Sequence, residues 1–271
     1  MFGLTRKALN DVLAMSRPYS ERSEKIERNG RVKVRLIQEP RGALRPIHET
    51  VGRALARIEP PDFLFCPVKR RSYADNAARH CLAKEVRTLD VKEYFPSTPS
   101  RRIYWFFNSV MHCSPDVSAV LAKLLTVNGH LATGSTVSPI LSYYAFHGMW
   151  MAVNNIVCEA GCTLSVYMDD VTLSGEAVPD RVVWQVKQQL HACGLIYHKE
   201  KRYSRGVAEV TGVLITNNLP QVPNRQLKKA HEARQRLAAV AIDTFEAERL
   251  RAKLRGLDAQ RRQVERARDA R

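Results

Sequence analysis

The sequence predicts an α+β fold built on a split βαβ core, ferredoxin-like in its element order. Three observations predict it. Two runs rich in Val, Leu and Thr, at 164–167 and 171–174, alternate in polarity on either side of Met168-Asp169-Asp170, the pattern of a β-hairpin. A third strand-like run at 86–91 carries Asp90 and is followed by Tyr94, Phe95 and the breaker Pro96. Helical patterns separate and follow these runs, so the order reads β, α, β-hairpin, α, β.

At 271 residues the chain can bury a substantial core, and its 45% apolar content is that of a globular protein. Its 43 Lys and Arg against 27 Asp and Glu leave a net charge of +16, which points to a polyanionic partner. No run of 18 uninterrupted apolar residues and no signal-peptide core is present, so nucleic acid is favoured over a membrane as that partner. The six cysteines are scattered. Cys158 and Cys162 alone are close, without the further Cys or His partners that zinc needs, so free thiols in a reducing cytoplasm are expected.

Residues 1–30 read as a polar helical segment broken at Ser16-Arg17-Pro18. From Val32 to Ile37 apolar and basic residues alternate, so a strand there places Lys33 and Arg35 on one face before Glu39-Pro40-Arg41-Gly42 turns the chain. Ile47, Val51, Leu55 and Ile58 recur at helical spacing up to Glu59-Pro60-Pro61. The triplet Lys69-Arg70-Arg71 reads as a solvated loop, and Ser72-x-x-Asp75 as a capping box that starts a helix carrying Asn76 and His80. Of Tyr94 and Phe95 at least one belongs to the core. The aromatic-rich segment 100–111 reads as a helix packed behind the strands. A Gly-containing entry at 129–139 leads into a long apolar helix to about 156, whose polar Ser142, His147, Asn154 and Asn155 make it a buried helix rather than a membrane span. Residues 180–193 form an amphipathic helix stopped by Gly194, 195–197 a strand, and 207–216 a hairpin. Past 224 the chain is rich in Ala, Arg, Leu and Glu. Long helices are expected there, with Leu227, Leu237, Val240, Phe245, Leu250, Leu254 and Leu257 as an apolar stripe and Arg residues facing outward.

The hairpin turn lets Asp169 and Asp170 reach one spot. Carboxylates held that close raise each other's pKa unless cations sit between them, and magnesium, which favours hard oxygen ligands, suits such a place. Turn chemistry by itself also favours Asp, so the weight comes from the third carboxylate, Asp90.

Together the Asp90 strand and Tyr167-Met168-Asp169-Asp170 resemble the catalytic motifs of reverse transcriptases. Arg35, Ile37 and Pro40 match the R-x-I-x-x-P element of the same enzymes. Asn76-Ala77-x-x-His80 ahead of the first catalytic strand, and Val210-Thr211-Gly212 after the hairpin, resemble the two marks of retron reverse transcriptases. The resemblance covers about 31–216 and is architectural after that. It implies a right-hand polymerase: fingers with an N-terminal helical segment at 1–85, a palm at 86–218 with the catalytic residues and primer grip, and a short helical thumb at 219–271. A helical dimerisation arm is the competing reading of the last segment.

By the same resemblance Asp90, Asp169 and Asp170 are catalytic. They hold two Mg2+ ions, with the backbone carbonyl of Val91 as a further ligand and Asp170 completing the electrostatic cage. Lys33, Arg35, Thr133, Gly134 and Lys201 lie at the nucleotide, although a surface role for Lys201 fits equally. Phe95, or Tyr94 if the register slips by one, excludes ribonucleotides. Ala132 and Thr133 replace the Pro and Gln of the family's P-Q-G-x-x-x-S-P, of which Gly134, Ser138 and Pro139 are kept. Lys69, Arg70, Arg71, Asn76, His80, Val210, Thr211 and Gly212 are expected at the nucleic acid. Partners implied are a structured non-coding RNA that serves as template and primer, its RNA-linked single-stranded DNA product (msDNA), dNTPs and a separately encoded effector in anti-phage defence, without a membrane. Another bacterial branch, abortive-infection or intron-type, and a non-catalytic RNA-binding scaffold are the alternatives.

Overall fold

The computed structural model describes residues 6–15, 18–28, 31–204, 207–241 and 244–270; the side chains at positions 6, 8, 26–28, 31 and 33 lie outside that description. The chain forms two compact units, each assembled from three separate stretches. One comprises Met1–Pro61, Val91–Asn155 and Gln185–His198, the other Asp62–Asp90, Ile156–Trp184 and Lys199–Arg271. These limits do not coincide with the boundaries expected at 85 and 218.

The chain opens with α1 (Arg6–Leu13), then β1 (Tyr19–Arg28) and β2 (Arg31–Pro40), paired antiparallel from Tyr19↔Pro40 to Arg28↔Arg31. The expectation of a helical segment over 1–30 therefore fails after Leu13. β1 is a run of Ser, Glu, Arg and Lys with little strand propensity of its own, and pairing along the whole of β2 overrides that preference. Gly42, with φ 51°, turns the chain into α2 (Leu44–Leu55), whose buried Leu44, Ile47, Val51 and Leu55 follow the expected spacing.

Next come β3 (Leu64–Cys66), α3 (Tyr73–Ala78) and β4 (Glu85–Val91). The capping box forms as read: Asp75 N–H donates to Ser72 Oγ at 3.1 Å, and the Asp75 carboxylate accepts from Ser72 N–H at 2.7 Å. The helix is short, however, and His80 lies beyond its end. After β4 the first unit continues through α4 (Ser100–Trp105), a π-helical turn (Phe106–Val110), α5 (Pro115–Leu125), the short β5 (Thr126–Val127) and β6 (His130–Leu131), and α6 (Ser138–Ala145). α7 (His147–Glu159) is separate, so the single long helix expected from 139 to 156 is divided. The break falls at Phe146, which leaves helical geometry at φ −121° and ψ 22°, is buried, and stacks with Tyr94 at 6.1 Å between centroids. The core of this unit gathers Leu44, Ile47, Ile103, Phe106, Leu125, Leu141 and Trp150, all almost fully buried.

The second unit is organised on a five-stranded mixed sheet that adds β7 (Thr163–Tyr167), β8 (Asp170–Gly175) and β9 (Tyr197–Ser204), in the order β3-β7-β8-β4-β9. β3 runs parallel to β7, whereas β7 with β8 and β4 with β8 are antiparallel. Between β8 and β9 lies α8 (Asp180–Ala192). Gly194, at φ 81°, bonds back to His191 O and Leu195 N–H to Leu190 O, so Leu195 completes a Schellman cap. The strand expected at 195–197 therefore starts only at Tyr197.

The hairpin expected at 207–216 forms as β10 (Ala208–Val210) and β11 (Val213–Thr216), with a third strand β12 (Leu219–Gln221) added. Finally come α9 (Asn224–Ala239) and α10 (Phe245–Asp269), the latter capped by Thr244 Oγ1, which accepts from Ala247 N–H. Their buried residues are mostly small: Ala230, Ala233, Ala247 and Ala267, with Leu250 and Val264. Of the expected stripe Leu250 is buried and Leu237, Val240, Leu254 and Leu257 are partly buried, whereas Leu227 is exposed, and so is Phe245 at 83%. Val86 of β4, Ala77 of α3 and Cys81 just past it, Val210, Val213 and Ile215 of the small sheet, and Val264 share one core cluster. No helix among the described residues is long and apolar enough to cross a membrane.

Candidate metal and nucleotide site

Alternation along β4 puts Val86, Thr88 and Asp90 on one face, and pairing carries that face across the sheet. Asp90 is opposite Asp170, Thr88 opposite Thr172, Val86 opposite Ser174, and Tyr167, Ser165 and Thr163 continue it on β7. Asp90 and Asp170 are therefore cross-strand neighbours, a placement that is destabilising for like charges. Asp169 sits beside them in the two-residue loop that closes Tyr167↔Asp170. The other loop residue, Met168, has φ 55°, a left-handed conformation that costs a side-chain-bearing residue on the order of 1–2 kcal/mol. Here that conformation ends the strand and places the two acids in succession.

The electrostatics register the crowding. Burial, then Asp169, then Asp90 push the Asp170 carboxyl up from 3.8 to about 7, against the opposing pull of Lys201 and Lys199. Both lysines lie two apart on β9, hence on one face, and Lys199 Nζ is 3.4 Å from Asp90 Oδ2. The sequence reading identified Lys201 and missed Lys199, although the alternation His198-Lys199-Glu200-Lys201 carried the signal. Glu200 and Arg202 occupy the opposite face. There the buried Arg87 guanidinium meets Asp180 at 2.7 Å, Glu200 at 3.0 Å and Glu85 at 3.6 Å. This cluster joins β4, β9 and the start of α8 behind the acidic residues.

Among the described residues no three His, Cys, Asp or Glu side chains are gathered tightly enough to hold a metal ion as they stand. The donor chemistry nonetheless fits a hard divalent cation: carboxylate oxygens of Asp90, Asp169 and Asp170, with Lys199 and Lys201 as the nearby positive charges.

Several expected nucleic-acid contacts turn out to be interior. Asn76, His80 and Val210 are almost completely buried and so have no surface to offer RNA. His80 lies between Ser174 Oγ at 2.6 Å and Ser165 Oγ at 2.7 Å, and burial, with Arg79 nearby, depresses its pKa to about 3. Asn76 Nδ2 reaches Thr211 Oγ1 at 3.4 Å, and Thr211 Oγ1 donates to Tyr73 O at 2.9 Å. Thr211 and Gly212, both with positive φ, form the two-residue turn between Val210 and Val213. Gly212 serves that conformation rather than a close approach, since a Cβ there would meet only Arg225 at 4.0 Å. Arg71 is likewise turned inward, donating to Leu64 O at 2.6 Å, whereas Lys69 and Arg70 are exposed.

In the other unit Arg35 is exposed on β2, while the side chain of Lys33 lies outside the described residues. Gly134 is pressed against β2: its N–H donates to Gln38 O at 3.0 Å, and a Cβ would stand 2.6 Å from Glu39 Cγ. Thr133 Oγ1 donates to Leu36 O at 2.6 Å and accepts from Gln38 N–H at 3.1 Å. The space that a side chain at Gly134 would need is thus taken up by β2. Val91 ends β4 and is buried. Tyr94 is the core aromatic, donating to Ser142 O at 3.0 Å and accepting from Trp150 Nε1 at 3.1 Å, which leaves Phe95 as the less buried of the two.

A basic α+β protein with an acidic cluster at the hairpin tip of a mixed sheet is the class that fold and site define. No family model matches the chain. Curated proteins do. Retron Se72 reverse transcriptase of Salmonella heidelberg (strain 579083-10) is 29% identical over 177 residues, 65% of this chain and 46% of that protein. Retron Ec86 reverse transcriptase of Escherichia coli is 24% identical over 213 residues, 75% and 66% respectively, and retron Mx65 reverse transcriptase of Myxococcus xanthus 27% over 212, 69% and 49%. The chain is thus a homologue of retron reverse transcriptases, and it spans between about half and two thirds of the length of these relatives.

Proposed function

We propose that the chain is a retron-type RNA-directed DNA polymerase, with fingers, palm and thumb, that copies a dedicated structured non-coding RNA into RNA-linked single-stranded DNA by two-metal nucleotidyl transfer. The observation that carries the reading is the cross-strand pair Asp90 and Asp170 with Asp169 at its side, in a chain whose curated homologues are named reverse transcriptases. Asp90, Asp169 and Asp170, with the carbonyl of Val91, would hold two Mg2+ ions. When bound, such ions lower the pKa of an attacking hydroxyl and offset charge on a triphosphate.

The remaining work belongs to the chain. Asp90 and Asp170 orient their oxygens from rigid strands. Lys199 and Lys201, on the same face of β9, place positive charge where a triphosphate would be anionic. Arg35 and Lys33 on β2 supply phosphate ligands, Phe95 the steric check at the sugar, and the basic α9 and α10 a grip on the duplex. A role in anti-phage defence with a separate effector, in the cytoplasm, completes the proposal.

Incubation of the protein with the transcript encoded beside its gene, magnesium and labelled dNTPs tests it. RNA-linked DNA of fixed length supports the retron reading, free or random polymer supports another polymerase branch, and no product with intact RNA binding supports a scaffold.

A further inference from the structure

The elements that resemble retron marks point inward, which leaves the question of what they do. His80 is the informative one. Its two ring nitrogens meet hydroxyls on opposite strands of the hairpin, Ser165 on β7 and Ser174 on β8. A neutral imidazole donates from one nitrogen and accepts at the other, so it can hold both serines at once. Both serines lie on the face that carries Asp170, each four residues along its strand from the acidic tip: Ser165 from Asp169, Ser174 from Asp170. The ring is fully buried and stays neutral over the working pH range, so the clamp does not open by protonation.

We infer that His80, through Ser165 and Ser174, is a positioning residue for the metal-binding carboxylates, fixing the spacing of the two strands whose tip presents Asp169 and Asp170. The inference rests on the polymerase reading above and gives the Asn76-Ala77-x-x-His80 element a role inside the catalytic unit. β3 and β4 already flank the two strands of the hairpin; a side chain bonded to both β7 and β8 adds a tether across the face that leads to the acidic tip, beyond what the backbone ladder supplies. The same segment holds the Thr211-Gly212 turn through Asn76 and the Tyr73 carbonyl, so one short stretch, 73–80, braces two hairpins.

The test uses the full chain with Ser165→Ala and Ser174→Ala, singly and together, and Val153→Ala as a destabilising control in the other unit's core. Loss of the bridge is expected to raise the Mg2+ concentration for half-maximal primer extension by about tenfold or more in the double variant, with saturating Mg2+ restoring most of the rate. Mn2+ affinity, followed by its paramagnetic resonance signal, should weaken in parallel. Val153→Ala should lower the melting temperature and leave the Mg2+ requirement unchanged. If the double variant does not fold, the single variants carry the same comparison. Serine variants that melt earlier yet keep the wild-type Mg2+ requirement would show a purely structural role and overturn the inference alone. A wild-type chain that neither extends a primer nor binds Mn2+ would remove the polymerase reading, and the inference with it.

Discussion

Asp90 on β4 and Asp170 on β8 stand directly opposite each other in an antiparallel pair, while Lys199 on β9 approaches Asp90 from the other side at 3.4 Å. A sheet built for stability alone would not set two carboxylates face to face, since each raises the free energy of ionising the other. The arrangement stores electrostatic repulsion at one end of an otherwise well-packed sheet, where a divalent cation would relieve it.

That repulsion predicts the effect of neutralising the tip. Asp169→Asn with Asp170→Asn should abolish primer extension while RNA binding, read by filter retention or anisotropy, stays within about twofold. Basic residues supply the RNA contacts and the acidic pair supplies none. Extension that survives in the double variant would refute the assignment of these residues.

A pH dependence follows from Asp170. Its folded pKa, about 7, lies above the 3.8 of the unfolded chain, so between these values the native state binds the extra proton and metal-free stability falls as pH rises. Asp170→Asn removes this contribution. The variant should therefore melt higher than wild type at pH 8 without metal, keep only part of that advantage at pH 5, and lose it below 3.8. Calorimetry at pH 8 and pH 5, in EDTA, reads the difference; equal shifts at both would contradict the raised pKa.

Lys199 gives a prediction of opposite sense. Its ammonium competes with a cation for Asp90, and both groups are partly solvated, so the ion pair itself adds at most about 1 kcal/mol to stability. Lys199→Met should barely change melting yet tighten Mn2+ binding several-fold without nucleotide. If Lys199 also meets the triphosphate, KM for dNTP should rise in the same variant. Unchanged metal affinity would mean that the pair is incidental.

What could be read from the sequence divides along physical lines. The acidic hairpin, β4 and the Ser72 capping box were legible because period-two alternation, turn residues and cap spacing are local signals. β1 was not: its ten mostly polar residues look like a solvated helix, and only the partner strand explains them. The motif at 76–80 was found by its residues but misread in direction, because sequence spacing does not say which side of a short helix is covered. Lys199 was passed over for Lys201 although both share a face. The last two helices were recognised by composition, but the residues that they bury are mostly Ala, which a search for Leu periodicity overlooks.

The loop at 132–134 provides the last prediction. Thr133 stitches its hydroxyl to the β2 backbone, and Gly134 lies so close that an added Cβ would press on Glu39 Cγ at 2.6 Å and on Gln38 O and Ile37 Cγ2 at 2.9 Å. The Glu39 side chain can swing aside, but the Gln38 carbonyl is backbone and cannot move without β2. Gly134→Ala should therefore destabilise by about 1–3 kcal/mol, the usual range for an overpacked contact. Thr133→Val keeps the shape while leaving Gln38 N–H without its acceptor, and should cost about 1–2 kcal/mol. Because both changes act on the junction of this loop with β2, the two should combine less than additively in a double variant. Chemical denaturation of the two single variants and the pair measures this; strict additivity would mean that Thr133 and Gly134 hold β2 independently rather than as one joint.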